Sequence, residues 1–307
     1  MNDGDYTKED FLEIYKVKYR LTVSSYKPVE HPKAFVLGGQ PGAGKTGLQE
    51  IMKQKVDGNL VILNGDEYRE LHPDFQYLQD KYGKDSVEYT GGFSATMTEA
   101  LMVQLKKAQY NVLVEDTLRT AKVPLDTCDK FKSSGYNVTL ALIAVKPQLS
   151  YISTILRYED LLAEGKTPRA TPKDKHDYVV AHLTENLKKI YDSGKFDNII
   201  IYNRQGECLY DMSANQTSTP DAVMDKALNG RWTQDELEQF IEIGNKTQAL
   251  MENRKAEELS QFKSEIFNKV IVEDIAKRNE LDFGNHVNKP DSIQPENSVP
   301  VHRPRRK

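Results

Sequence analysis

Gly39-Gln40-Pro41-Gly42-Ala43-Gly44-Lys45-Thr46, preceded by the apolar run Ala34-Phe35-Val36-Leu37, is the stretch on which the fold turns. The run reads as a buried first strand, and the residues after it fit G-x-x-x-x-G-K-[ST], the phosphate-binding loop. Glycines at 39, 42 and 44 let the backbone turn tightly and aim its N–H groups at one anion, at the start of the next helix. In such a loop Gly39, Gln40, Pro41, Gly42, Ala43 and Gly44 cradle a nucleotide's phosphates and Lys45 reaches the transferable one. The Thr46 hydroxyl ligates the metal, so ATP and Mg²⁺ are the expected cofactors.

Outward from the loop, apolar runs at Leu60–Leu63, Val112–Val114, Val138–Val145 and Ile199–Tyr202 alternate with helical stretches. This predicts an α/β fold of P-loop kinase type, a mostly parallel sheet flanked by helices. Gly206–Asp211 reads as an antiparallel edge strand and Pro220–Leu228 as a short helix. Thr7-Lys8-Glu9-Asp10 ahead of Phe11, Leu12, Ile14 and Tyr15 reads as a capped helix before the core.

From Thr233 to about Phe283 the chain is charged, with Leu237, Phe240, Ile241, Leu259, Phe262, Ile266, Val270 and Ile275 at helical spacing. One or two amphipathic helices are expected there, and packing on the chain's own core is a commoner fate than a partner seam. Gly284 to Lys307 is proline-containing, poor in large apolar side chains and basic at its end, which predicts disorder. The expected plan is a kinase domain over 1–232, a helical extension over 233–283 and a tail over 284–307. Asn288-Lys289-Pro290-Asp291 matches the guanine-reading N-K-x-D pattern, but it sits in that tail instead of after a buried strand, which argues against a GTPase.

The charges nearly balance, 42 Lys+Arg against 46 Asp+Glu, so the whole chain has no electrostatic reason to bind nucleic acid or an anionic membrane. No apolar stretch approaches the roughly 20 residues of a membrane span. A cytoplasmic location is expected, with Cys128 and Cys208 as free thiols.

A phosphate loop establishes nucleotide binding and leaves the acceptor open. Asp66 follows the second strand at the sheet edge where ligands of open α/β folds sit, so its carboxylate is the candidate base for an acceptor hydroxyl. The plainer alternative is a helix N-cap for Glu67–Leu71. Asn111-Val112-Leu113-Val114-Glu115-Asp116-Thr117 resembles a Walker B element, whose acids organise Mg²⁺ or hold the acceptor; again the alternative is a capped helix start, with Thr117 as the cap. Glu99, in the helical stretch Phe93–Ala108, is weaker evidence, since a solvated helix face is the commoner reading of such a residue. Arg157 in the helix Ser150–Leu162 and Arg169 in the loop after it are candidate lid arginines for the charge of phosphoryl transfer.

Taken together, the chain resembles the zeta toxin family, kinases of bacterial toxin–antitoxin pairs, and particularly its pneumococcal branch. The matching stretches are Leu37 to Thr46, Asp66 with His72-Pro73, Lys84 to Thr90, Glu115 with Thr117-Leu118-Arg119-Thr120, Arg157-Tyr158-Glu159, and Arg169 to Lys173 with His176-Asp177. The resemblance implies ATP-dependent phosphorylation of the 3′-hydroxyl of the amino sugar of UDP-N-acetylglucosamine, which inhibits cell-wall synthesis. It implies Asp66 as base, Lys45 and Thr46 on the ATP phosphates and Mg²⁺, and Arg157 and Arg169 as phosphate clamps. Glu99, Glu115, Thr117 and Arg119 would line the sugar-nucleotide pocket, and a small helical antitoxin would block the ATP site. His72 and His176 match the pattern as structural histidines.

Two departures stand out. The family usually carries glycine where this chain has Asp116, and an added carboxylate there is expected to repel an anionic substrate or crowd it. The chain also continues past Trp232, a stretch the shorter pneumococcal-type members are expected to lack. Two rival readings follow: a kinase with another acceptor, such as a different sugar nucleotide or a polynucleotide end, or an ATP-binding interaction protein with little turnover.

Overall fold

The computed structural model describes residues 2–166, 168, 170–214 and 217–273. Arg169, Ile275 and the stretch 284–307 lie outside them. Thr7 accepts a hydrogen bond from the Asp10 N–H at 3.0 Å and opens helix α1 (Lys8–Val23), as the capping pattern predicts. The sheet contains β1 (Lys33–Gly38), β2 (Val61–Leu63), β3 (Val112–Glu115), β4 (Asn137–Ile143), β5 (Asn198–Tyr202) and β6 (Cys208–Asp211). Their order is β2-β3-β1-β4-β5-β6, parallel except for β6, which runs antiparallel at the edge. From β1 the chain turns to β2 and β3 on one side, then crosses to β4 on the other. That switch leaves a crevice at the carboxyl ends of the strands, directly above β1.

Both faces of the sheet are covered, which is why its strands read as continuous apolar runs. Ala34 and Val36 face one layer, formed by α1, α4 (Ser86–Lys107), α5 (Lys122–Lys132), α7 (Lys173–Asp192) and α8 (Pro220–Asn229). Phe35 and Leu37 face the other, formed by α2 (Lys45–Gln54), α6 (Pro147–Ala163) and α9 (Gln234–Asn253). A short 3-10 helix (Gly65–Leu71) and α3 (Phe75–Tyr82) complete the β2 side. Among the described residues no helix is long and apolar enough to cross a membrane.

The helix expected from Phe93 begins at Ser86. Gly91-Gly92 reads locally as a breaker, but Thr90 and Phe93 are buried on either side and Arg69 donates to the Val87 carbonyl at 2.7 Å, so tertiary contacts carry the helix through.

The C-terminal helices pack on the protein's own sheet. Thr233 and Glu236 form a capping box that starts α9, and Phe240 and Met251 are buried against α6 and the α2 layer. Phe262–Phe267 is a π-helix. Ile266, which the periodic pattern assigns to the buried face, is partly buried against that layer, and the widened turn buries Phe267 there as well. Its ring lies where a Cβ on Gly244 would approach within 2.2 Å, so α9 needs glycine at that crossing.

Candidate active site

The phosphate loop connects β1 to α2 and is held by its own backbone. Ala43 N–H donates to the Gln40 carbonyl at 3.2 Å, and the Gln40 side-chain amide, fully buried, donates to the Val145 carbonyl at 2.7 Å. Gly42 has φ +77°, and a Cβ there would fall 2.0 Å from the Ser150 carbonyl of α6, so only glycine satisfies both the turn and the packing. Lys45 begins α2 and folds its ammonium back onto the Gly39 carbonyl at 3.1 Å. Thr46 is exposed on the first helical turn.

Beside the loop opens a cleft of about 590 Å³. Lys45 from α2, Asp66 from the end of β2, Glu99 from α4, and Glu115 and Thr117 from the end of β3 all line it, over an apolar floor of Val36, Val114 and Met102. The structure thus brings together five side chains from four segments far apart in sequence. Their charges share one neighbourhood. Burial pushes the Lys45 ammonium down from its usual range, Glu115 opposes this most strongly, Arg157 adds to it, and Asp66 and Asp116 oppose it. Burial raises the Glu115 carboxyl, with Lys45 and a hydrogen bond from Gln49 working against the rise.

Asp66 is not the helix cap. Asn64 is, with its side-chain oxygen accepting from the Asp66 N–H at 3.1 Å, which leaves the Asp66 carboxylate facing the cleft. Arg69 bridges it to α4, donating to Asp66 Oδ1 at 3.2 Å, the Val87 carbonyl at 2.7 Å and Thr90 Oγ1 at 3.3 Å. Thr117 is not a cap either, because α5 starts only at Lys122. Asp116 shapes this loop. Its N–H donates to the Leu37 carbonyl at 2.7 Å, and its carboxylate accepts the Leu118 N–H and so closes a turn in which Leu118 takes φ +52°. Leu118 is then fully buried, and Asn186 of α7 donates to its carbonyl at 2.9 Å. The carboxylate expected to crowd or repel a substrate is therefore engaged by its own backbone.

Thr46, Arg119 and Arg157 lie off the cleft lining. Arg119 is exposed, its charge felt by Asp116, and Arg157 is exposed on α6, its charge felt by Lys45. Four residues were not singled out in the sequence. Arg69 and Gln49 had a usable signal, three residues after Asp66 and four after Lys45 on the same helical faces. Lys130, which holds Glu99 at 2.7 Å, and Arg204 had none. Arg204 packs against Gly44 and donates to Ser153 of α6 at 2.8 Å, a contact made only by the fold.

His176 is fully buried, its Nε2 2.8 Å from Ser150 Oγ and its Nδ1 3.2 Å from Asp177, tying the start of α7 to the α6 turn that abuts Gly42. His72 is likewise buried, with Nε2 3.1 Å from the Gly4 carbonyl. Both cysteines are free. No cluster of three or more His, Cys, Asp or Glu fit to hold a metal occurs among the described residues. The donors present suit a divalent cation that arrives with nucleotide phosphates: a threonine hydroxyl beside the loop, with Glu115 and Asp116 near Lys45.

A phosphate loop at the switch point of a parallel sheet, facing carboxylates from the two strands beyond it, is the P-loop kinase-like arrangement. The zeta toxin family model matches residues 18–215, and the chain belongs to that family. It is 44% identical to Toxin PezT of Streptococcus pneumoniae over 247 residues, 80% of this chain and 97% of that one. It is 36% identical to Toxin zeta of Streptococcus pyogenes over 264 residues, 86% of this chain and 91% of that one. A solved structure from the PezAT chromosomal toxin–antitoxin system of Streptococcus pneumoniae superposes with a TM-score of 0.76 at 39% identity, covering 82% of this chain and all of that chain. Since 82% of 307 residues is about 252, the likeness runs past Trp232 into α9. The expectation that the pneumococcal-type relatives lack everything past Trp232 is thereby corrected for α9, whose buried contacts on the sheet explain why the helix travels with the core.

Proposed function

We propose that this protein is the toxin of a toxin–antitoxin pair and an ATP-dependent kinase for the 3′-hydroxyl of the amino sugar of UDP-N-acetylglucosamine. The observation that carries the reading is the cleft shared by Lys45 and Asp66, a phosphate-side cation and a hydroxyl-side carboxylate facing one space. Asp66 accepts the proton of the sugar hydroxyl as its oxygen bonds to the γ-phosphorus; the bond from that phosphorus to the ADP oxygen breaks, and ADP leaves. Lys45 stabilises the charge that accumulates on the transferred group, joined by Arg157 from α6 and, by family resemblance, Arg169. Bound Mg²⁺, held through Thr46, supplies further charge neutralisation at the phosphates.

Glu99, Glu115 and Thr117 offer acceptors and a hydroxyl to a sugar nucleotide, with Arg119 at the outer edge. An anionic substrate meets less repulsion than the number of carboxylates suggests, because Asp66 is paired with Arg69 and Glu99 with Lys130, while Glu115 is hydrogen-bonded by Gln49 and Asp116 by its own turn. A small helical antitoxin covering the ATP site is the expected partner, on the likeness to the PezAT system. Loss of phosphorylatable UDP-N-acetylglucosamine would then starve cell-wall synthesis.

Mass analysis of UDP-N-acetylglucosamine after incubation with protein, ATP and magnesium tests the reading. A product heavier by one phosphoryl group is expected. Unaltered UDP-N-acetylglucosamine beside a labelled alternative acceptor would replace the substrate, and binding of Mg²⁺–ATP with no transfer to any acceptor would replace the kinase with an interaction protein.

A further inference from the structure

Glu159 is part of the Arg157-Tyr158-Glu159 stretch, yet it cannot act in the cleft. Its side chain is 2% exposed and is absent from the cleft lining. Its carboxylate is gripped by Arg254, at the C-terminal end of α9, through Nε at 2.7 Å and Nη2 at 2.8 Å, a bidentate fork across 95 positions of sequence. Arg254 also pairs with Glu258, and Lys246 of α9 adds a contact to Asp160 at 3.0 Å. Breaking a buried pair of this kind strands an uncompensated carboxylate, so the fork fixes α6 firmly against α9.

Arg157 sits two residues before Glu159, and positions two apart point to opposite sides of a helix. Arg157 instead shares the helix face of Ser150 and Thr154, the two residues that abut Gly42 of the phosphate loop, and its charge is felt by Lys45. The other end of α6 is fixed separately: the Ser150 carbonyl lies against Gly42, and Ser153 is bonded to Arg204. Arg157 lies between these anchors and, being exposed itself, depends on the rotation of its helix for its direction.

We propose that the Glu159–Arg254 fork is a positioning element for Arg157, through which the C-terminal helices set the rotation of α6 and hence the approach of Arg157 to the phosphate loop. It rests on the reading of Arg157 as a phosphate clamp. The prediction concerns turnover: misdirecting a group that acts on transition-state charge lowers kcat and leaves the Michaelis constant for ATP nearly unchanged.

A double-mutant cycle on the full chain, Arg254→Ala against Arg157→Ala, measures the coupling. Arg254→Ala should lower kcat by about 10-fold, with the ATP Michaelis constant within about twofold. In the Arg157→Ala background the same change should cost less than about twofold, and Arg254→Lys, which keeps the charge but not the fork, should fall between Ala and wild type. Losses that multiply independently, or a folded Arg254→Ala protein with wild-type kcat, would overturn the proposal. If Arg254→Ala fails to fold, Glu159→Gln replaces it in the cycle under the same criteria. Each variant is assayed both for transfer to UDP-N-acetylglucosamine and for hydrolysis of ATP to water. A wild-type protein that leaves the sugar nucleotide untouched refutes the acceptor, while the coupling between Arg254 and Arg157 is still read from hydrolysis.

Discussion

The phosphate loop and the C-terminal helices hold their shapes by opposite means. The loop depends on backbone conformation and short-range bonds, Gly42 at φ +77° and Lys45 folded onto Gly39, so its geometry is encoded within a few residues. The C-terminal helices depend on contacts that close very long loops: Phe240 and Phe267 on the sheet, and Arg254 on Glu159. On the proposed function the first region supplies chemistry and the second supplies rigidity, so damage to them should be read by different measurements.

Asp66→Asn should produce the largest effect, lowering turnover by about 10²- to 10⁴-fold while ATP affinity and the thermal midpoint stay near wild type. Steady-state kinetics beside calorimetric ATP titration checks it, and near-normal turnover would remove Asp66 from the base role. On the other side of the comparison, Phe240→Ala should cost about 3–5 kcal/mol of stability, because a fully buried ring is lost from a packed layer. Denaturant unfolding reads this directly. A loss below about 1 kcal/mol would mean that α9 is a loose appendage.

His176 gives a smaller, pH-dependent test beside the α6 turn that abuts the phosphate loop. Burial holds its pKa below the ordinary value of about 6.5, with Asp177 opposing and Lys173 adding to the shift. The unfolded chain therefore takes up the proton first as pH falls. The contribution is fully present above about pH 6.5, and is lost as pH drops from there through the folded-state value. His176→Gln should flatten the stability curve across that acidic window relative to wild type, and parallel curves would contradict the assignment.

Asp116 separates charge from conformation with the smallest expected change. Asp116→Asn retains an oxygen for the Leu118 N–H and should lower the Michaelis constant for the sugar nucleotide by about two- to fivefold, the scale of one partly screened charge. Asp116→Gly should fail to match that gain, because it also releases the turn that seats Leu118. Equal gains in both variants would show that the turn is dispensable.

Most of the fold was legible in the sequence. The strands after Lys33, the antiparallel Cys208–Asp211 edge and the Thr7 cap all follow from patterns a few residues long. The cleft was legible in part. Asp66 and Glu115 could be placed at strand ends near Lys45, but whether Asp66 or its neighbour caps the helix depended on side-chain rotamers, and Asn64 took the role. Glu99 gained a place in the lining only because α4 lies across the β2 edge. Phe267 joins Ile266 on the packed face because the π-turn admits a residue that the 3.6-residue period leaves out, set by packing against Gly244.

The sequence by itself determined the phosphate loop, the alternation of strands and helices, and the residue types available for phosphoryl transfer, since these are set by local backbone preference and hydrophobic period. Only the tertiary structure decided that Lys130 pairs with Glu99, that Arg204 bonds to Ser153 of α6, and that Glu159 is held from α9. These are pairings between side chains distant along the chain, chosen by burial and charge once the layers close, and no local pattern encodes which partner each will meet.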